Sequence, residues 1–320
     1  MPLQFDLSFD ELFTYQGTNP RPDDFDSYWD AAIAEIRVQD PQVELVPAGF
    51  QTDFAECFHL YFTGVGGARV HAKLWRPKNA TGPHPALLVF HGYSWHAGDW
   101  SERLGYAAQG YTVAALDCRG QGGQSEDPGG VQGWTLRGHM VRGLGGPSEK
   151  LLFRQIFLDT ALLARIVMDM PEVDEKRVGV TGGSQGGGLT LACASLEPRI
   201  KLAAPVFPFL CDYKRVWEID LDVGAYAELR EWFRRFDPTH ARENEVFTQL
   251  GYIDVQYLSP RIQAEILMGV GLMDQICPPS SQFAAYNRIQ SKKDVVFYPD
   301  FGHEPLPGHA DRIFQFMMNL

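Results

Sequence analysis

The chain is poor in cysteine, short of positive charge and without any long apolar run. Its five cysteines, Cys57, Cys118, Cys193, Cys211 and Cys277, form an odd set with no C-x-x-C spacing. That argues against a disulfide framework or a zinc ribbon and reads as buried free thiols in a reducing compartment. Only 28 Lys and Arg stand against 40 Asp and Glu, a net charge of −12, with no basic cluster to neutralise phosphates. Nucleic acid is therefore not an expected partner. No stretch of about 18 apolar residues offers a membrane span, and the first 15 residues lack the basic segment and apolar run of a secretory leader. The expectation is a soluble, cytoplasmic protein. Also missing are G-x-x-x-x-G-K-[ST], a G-x-G-x-x-G after the strand that precedes Ser184, H-E-x-x-H and any Cys/His group of zinc spacing. No cofactor and no metal is expected, although Asp99, His91, His96 and His139 are of ligand type.

What is present is apolar and ordered by rhythm. The 320 residues are 45% hydrophobic, enough for one large α/β domain, which is the expected organisation. Residues 1–80 read as an N-terminal extension with one helix near 24–38, followed by antiparallel edge strands over the alternating run 58–75. Compact apolar runs then recur at 86–90, 112–116, 178–181, 203–207, 266–270 and 295–298, several separated by helical stretches. Such runs, bounded by Gly, Pro or Asp, are what strands buried on both faces look like, and their alternation with helices implies a mostly parallel sheet. Two segments break the rhythm. Residues 120–146, glycine-rich and containing Trp134, show no helical or strand period and read as a long functional or interface loop. Residues 216–258 read as a charged, mostly helical insertion that resembles a lid.

The chemistry starts at Gly182-Gly183-Ser184-Gln185-Gly186, a G-x-S-x-G between a strand and a helix-like run. A serine held in a sharp strand-to-helix turn crowds the residues two before and two after it, so both must lack a side chain. This is the nucleophile elbow of the α/β-hydrolase fold, which places an acid and then a histidine in loops after later strands. Asp274 follows the run 266–270 and His303 follows 295–298, making Ser184, Asp274 and His303 the expected triad. Asp300 is a competing acid and His309 a competing base, but chain order favours Asp274 and His303; His309, opening the final helix, suits a cap or surface role. The expected oxyanion hole joins the amide of Gln185 to that of Tyr93, in the His91-Gly92-Tyr93 loop after the first buried run. His91 itself reads as a turn-shaping residue. A serine hydrolase for longer acyl chains or oligopeptides is a rival reading, and an inactive scaffold is another, though all three triad positions are filled.

Together, Arg119-Gly120-Gln121, the Gly182–Gly186 motif and His303-Glu304, with the Phe25-x-x-Tyr28-Trp29 region ahead of them, make a chain that resembles the cephalosporin-C deacetylase and acetyl xylan esterase family, carbohydrate esterase family seven. The resemblance implies an α/β-hydrolase that deacetylates small acetyl esters, namely acetylated xylo-oligosaccharides, sugar acetates and cephalosporin C. It also implies a cytoplasmic homohexamer with active sites facing a central chamber, and it gives the 120–146 loop a role in subunit contacts. Arg119 and Gln121 look like scaffold residues that tie loops together. Tyr93, Phe207, Phe209 and Trp100 are candidates for an aromatic substrate wall, with ordinary core packing as the alternative.

Overall fold

The computed structural model describes residues 5–129 and 138–320. Trp134 and the rest of 130–137, inside the expected interface loop, lie outside the described residues. Among the described residues one sheet holds β1 (Glu44–Pro47), β2 (Ala55–Thr63), β3 (Arg69–Pro77), β4 (His84–Phe90), β5 (Thr112–Leu116), β6 (Val173–Gly183), β7 (Leu202–Val206), β8 (Glu265–Gly271) and β9 (Lys293–Tyr298). Their spatial order is β1-β2-β3-β5-β4-β6-β7-β8-β9. The pairings from β1 through β3 to β5 are antiparallel, and those from β5 through β4 to β9 are parallel. β4 and β5 are buried at every position, as expected of short apolar strands with both faces covered. The alternating run is the β2–β3 hairpin, with Phe58 opposite Leu74.

Helices cover the sheet: α1 (Phe9–Leu12), α2 (Phe25–Val38), α3 (Leu104–Ala108), α4 (Leu152–Met168), α5 (Gln185–Leu196), α6 (Tyr213–Glu218), α7 (Ala227–Phe236), α8 (Glu243–Gly251), α9 (Val255–Leu258), α10 (Pro279–Tyr286) and α11 (His309–Met317). α4 is buried along almost its whole length because α2 covers it, with Trp29 stacked on Phe157 at 5.9 Å between ring centroids. Every residue of α5 is buried, so the helix that follows Ser184 is clamped into the core. The segment 216–258 is helical as expected, with α7 and α8 inside it, and it lies between β7 and β8.

The chain's start is tied to this insertion by a buried pair of carboxyl groups. Asp212 accepts from Tyr15 Oη (2.7 Å) and from the amides of Thr18 (3.0 Å) and Asn19 (2.8 Å), while its own N–H donates to Asp254 at 3.0 Å. Burial, and then the charge of Asp212, pushes the Asp254 carboxyl up to about 8. The folded protein thus keeps a proton that an unfolded chain gives up above about pH 4. Proton linkage then makes this carboxyl's contribution to stability largest below about pH 4 and lowers it as pH rises from about 4 to about 8, by a few kcal/mol in all. Asp254→Asn, which cannot ionise, is expected to flatten that slope in urea unfolding measured at about pH 5 and about pH 9; an unchanged slope would place the titrating group elsewhere.

Candidate active site

β6 ends at Gly183 and α5 begins at Gln185, so Ser184 occupies the turn alone, at φ 58° and ψ −119°. This is a backbone region that a residue with a side chain rarely adopts. The turn is pinned on both sides: Ser184 N–H donates to Val206 O (3.0 Å), and Ser184 O accepts from Phe209 N (2.9 Å) and Gly188 N (3.1 Å). A Cβ at Gly182 would sit 2.5 Å from Phe90 O, and one at Gly186 would collide with the same carbonyl. Both glycines are therefore required by the close approach of β4 to the elbow.

The loops after β8 and β9 deliver the other two groups. Leu272 N–H and Met273 N–H donate to Tyr298 O and Phe301 O, which braces one loop against the other. His303 Nε2 lies 2.9 Å from Ser184 Oγ, and His303 Nδ1 lies 2.8 Å from Asp274 Oδ2. Asp274 is fully buried, and its Oδ1 accepts from the amides of Ile276 (2.9 Å) and Cys277 (2.8 Å), so the carboxylate is fixed by three donors. Asp300 is exposed, three residues from the histidine in sequence but without a hydrogen bond to it among the described residues. The structure thus brings Ser184, His303 and Asp274 into one hydrogen-bonded chain. The buried Cys277 thiol, expected as an ordinary core cysteine, lies beside the Ser184 hydroxyl, and burial pushes it well up. Among the described residues, Asp274, Cys277 and His303 are the grouping of metal-type donors, and two of the three are already bonded to each other. Asp99, His91, His96 and His139 are not gathered into such a group.

The two expected oxyanion amides belong to the start of α5 and to the loop after β4. Gln185 is the first residue of α5, where a helix leaves its N–H groups without intrahelical acceptors and adds a partial positive charge. In the loop after β4, Ser94 N–H is taken by Gln121 Oε1 (2.8 Å) and Trp95 N–H by Gly92 O (3.2 Å); none of the described residues accepts from Tyr93 N–H. His91 shapes this turn: Cys118 N–H donates to its Nε2 (3.0 Å), its Nδ1 lies 2.7 Å from Gly92 O, and burial lowers its basicity. Gln121 Nε2 donates to Gln185 Oε1 (2.9 Å), linking the loop after β5 to the elbow. Arg119 is locked by a bidentate pair to Asp159 (2.5 and 2.7 Å) and by a bond to Val65 O (2.8 Å). Both residues tie loops together.

The candidate aromatic wall divides. Phe207 lines the cleft with Ser184 and packs on the His303 ring at 4.6 Å. Tyr93 directs its hydroxyl inward to Glu228 of α7 and packs edge-on to Phe209, which is 1% exposed and backs Tyr93 instead of lining the cleft. Trp100 is a correction: its ring lies against Phe50 (6.3 Å), Trp75 (4.9 Å) and His59 (5.4 Å), over the β2–β3 hairpin, where apolar burial is available to it, and it is not among the residues lining the cleft with Ser184. His309 is another: it opens α11 as expected but is buried, facing Gly269 and the Tyr298 ring, and desolvation lowers it to about 4.

Two residues with a bearing on the site had no signal in the sequence. Glu228 is buried, held up by desolvation, and accepts from Tyr93 Oη and the amides of Met140 (2.9 Å) and Val141 (3.4 Å). Its carboxylate joins the oxyanion loop, the 138–141 turn and α7. Glu228→Ala would strand these donors, and by the cost of unpaired buried groups it is expected to lower stability by about 3 kcal/mol, read as a shift of the urea midpoint. Trp95 is the second: 60% exposed, it lines the same cleft beside His96, Phe207 and Ser184. That cleft holds about 340 Å³. A larger groove of about 840 Å³ runs past Val43, Arg76, His84 and Glu172 and contains none of the three triad-type residues, so chemistry and not size identifies the site.

Comparison with known proteins places the chain among acetyl esterases of one family. The chain is 60% identical to acetyl xylan esterase 1 from Thermoanaerobacterium sp. JW/SL YS485, whose crystal structure superposes with a TM-score of 0.96 over 98% of this chain and 99% of that one. It is 37% identical to an acetyl xylan esterase from Paenibacillus sp. R4, with a TM-score of 0.89 and the same coverages. It is 25% identical over 284 residues to acetyl esterase Axe7A of Xylanibacter ruminicola, matching 87% of this chain but only 62% of that protein's length. The model of the acetyl xylan esterase (AXE1) family matches from residue 1 to residue 320, and the chain belongs to that family.

Proposed function

We propose that the protein is a serine esterase that removes acetyl groups from small substrates, including acetylated xylo-oligosaccharides, other sugar acetates and cephalosporin C. The observation that carries this reading is the unbroken chain Ser184–His303–Asp274 at the mouth of a small cleft. In the first half-reaction Ser184 Oγ attacks the acetyl carbonyl carbon as its proton passes to His303 Nε2. The carbonyl oxygen becomes an oxyanion held by the N–H groups of Gln185 and Tyr93. The ester C–O bond then breaks, and the departing alcohol takes the proton from His303. Water attacks the acetyl-Ser184 ester, passing a proton to His303, and acetate leaves as Ser184 regains its proton. Asp274 keeps the imidazole in the tautomer with a proton on Nδ1 and stabilises the cation formed at each step.

A cleft of about 340 Å³ is at the small end of ligand pockets, which supports short acyl groups and single sugar units over polymers and peptides. The five free, buried thiols fit a reducing, cytoplasmic setting. Likeness to the family supports a homohexamer, with the 120–146 segment in subunit contacts and the helical insertion 216–258 as a cover on one side of the cleft.

The test is turnover of 4-nitrophenyl acetate, butyrate and octanoate, followed by acetate release from xylose tetra-acetate and cephalosporin C. The expected profile falls steeply beyond propionyl and includes both acetates. Preference for octanoyl esters or for peptides would sink the substrate assignment.

A further inference from the structure

We infer that Trp95, stacked on His96, is a platform for the sugar ring of the substrate, with Arg103 and Glu102 as the polar rim that takes its hydroxyl or ester oxygens. The inference rests on the deacetylase reading and extends it to the part of the substrate that does not react. Trp95 is held in place without being buried. Its N–H donates to Gly92 O (3.2 Å), its carbonyl accepts from Gly122 N (2.9 Å), and its ring lies against His96 at 4.9 Å and 21°. His96 is itself oriented, its Nδ1 accepting from Gly98 N at 3.1 Å. An indole whose backbone and one face are ordered, yet which stays 60% exposed beside the nucleophile, forgoes the burial that usually stabilises so large an apolar group. A ligand that covers it in the cleft recovers that burial.

Pyranose rings suit this surface. One face of the ring presents C–H groups that pack on an aromatic plane, while hydroxyls project from the edge. Arg103 lines the same cleft and has a buried Nε–H with no acceptor among the described residues, although its terminal nitrogen reaches Glu102 (3.2 Å). The Nε itself is closed off, but the side chain is 27% exposed at its end, and the terminal guanidinium N–H groups not used by Glu102 are open to an oxygen of a bound sugar. Glu102, beside it on this rim, accepts from Asp99 N (2.9 Å) and keeps an oxygen toward Arg103. The cleft therefore is lined by Phe207, by an aromatic plane at Trp95 and by a charged edge at Glu102 and Arg103, all in the same cavity as Ser184.

The experiment compares xylose tetra-acetate with ethyl acetate, which has no ring to stack. For Trp95→Ala the ratio of the two kcat/KM values is expected to fall about tenfold, the size of one aromatic contact, mainly through KM for the sugar. Trp95→Phe should restore most of the ratio, which loss of loop structure would not allow. Binding of xylose tetra-acetate to Ser184→Ala, followed by calorimetry, should weaken by a similar factor when Trp95→Ala is added. A ratio that stays constant, or an affinity of Ser184→Ala for the sugar that does not depend on Trp95, overturns the platform. If the wild-type protein hydrolyses ethyl acetate but not the sugar ester, while sugar binding to Ser184→Ala still depends on Trp95, the platform stands as a sugar-binding surface and the assignment of sugar acetates as substrates fails.

Discussion

Ser184→Gly is expected to abolish turnover and to make the folded protein more stable. The loss of rate should reach about 10⁵- to 10⁶-fold, because removing the nucleophile of a Ser-His-Asp unit leaves only the background contributed by binding and the oxyanion donors. The gain has a separate origin. Ser184 is held at φ 58° and ψ −119° by bonds from its N–H to Val206 O and from Phe209 N to its carbonyl. A non-glycine residue in such a region costs on the order of 1–3 kcal/mol, which glycine avoids, although glycine also gains entropy in the unfolded chain. The net expectation is about 1 kcal/mol of added stability in urea or thermal unfolding, together with no esterase activity. A variant that is inactive but less stable would mean that the Ser184 side chain, through its contact with His303 or Cys277, stabilises the fold more than its backbone strains it.

Asp274→Asn is expected to lower kcat by about 10⁴-fold, the scale seen when the acid of such a triad is neutralised, while Asp300→Asn stays within about threefold of wild type. The asparagine can still accept from the amides of Ile276 and Cys277 through its oxygen, so the loop after β8 should survive. What it loses is the charge at 2.8 Å from His303 Nδ1. Its NH₂ group there would favour the imidazole tautomer with the proton on Nε2, where it can no longer take the proton of Ser184. Asp300 is exposed, and water can replace its interactions. The measurement is steady-state hydrolysis of 4-nitrophenyl acetate by both variants. Near-normal turnover of Asp274→Asn with loss in Asp300→Asn would reverse the assignment of the acid.

Much of this site was legible in one dimension because its constraints are local. The elbow needs glycine at 182 and 186 since Phe90 O leaves no room for a Cβ, and that requirement is written into five consecutive residues. The strands that carry the loops are short apolar runs, which is how a chain buried on both faces must read, so β4 to β9 were foreseeable to within a few residues. Asp274 and His303 could be chosen from many acids and nine histidines by their order after those strands. The same logic failed where a side chain's surroundings come from distant parts of the chain. Trp100, close in sequence to the oxyanion loop, turns toward Trp75 and Phe50 of the antiparallel edge, and His309 is drawn into the interior by the packing of α11 on β8.

The sequence by itself determined the sheet, the turn that exposes a serine, and the family of chemistry, because backbone sterics and burial of apolar strands act over a few residues. Only the tertiary structure decided which aromatic faces the cleft, that Glu228 of the insertion accepts from the hydroxyl of Tyr93, that the Cys277 thiol lies beside Ser184, and that burial and Asp212 raise the Asp254 carboxyl. Those outcomes depend on which distant surfaces meet and exclude water, and desolvation and side-chain direction follow from that meeting alone.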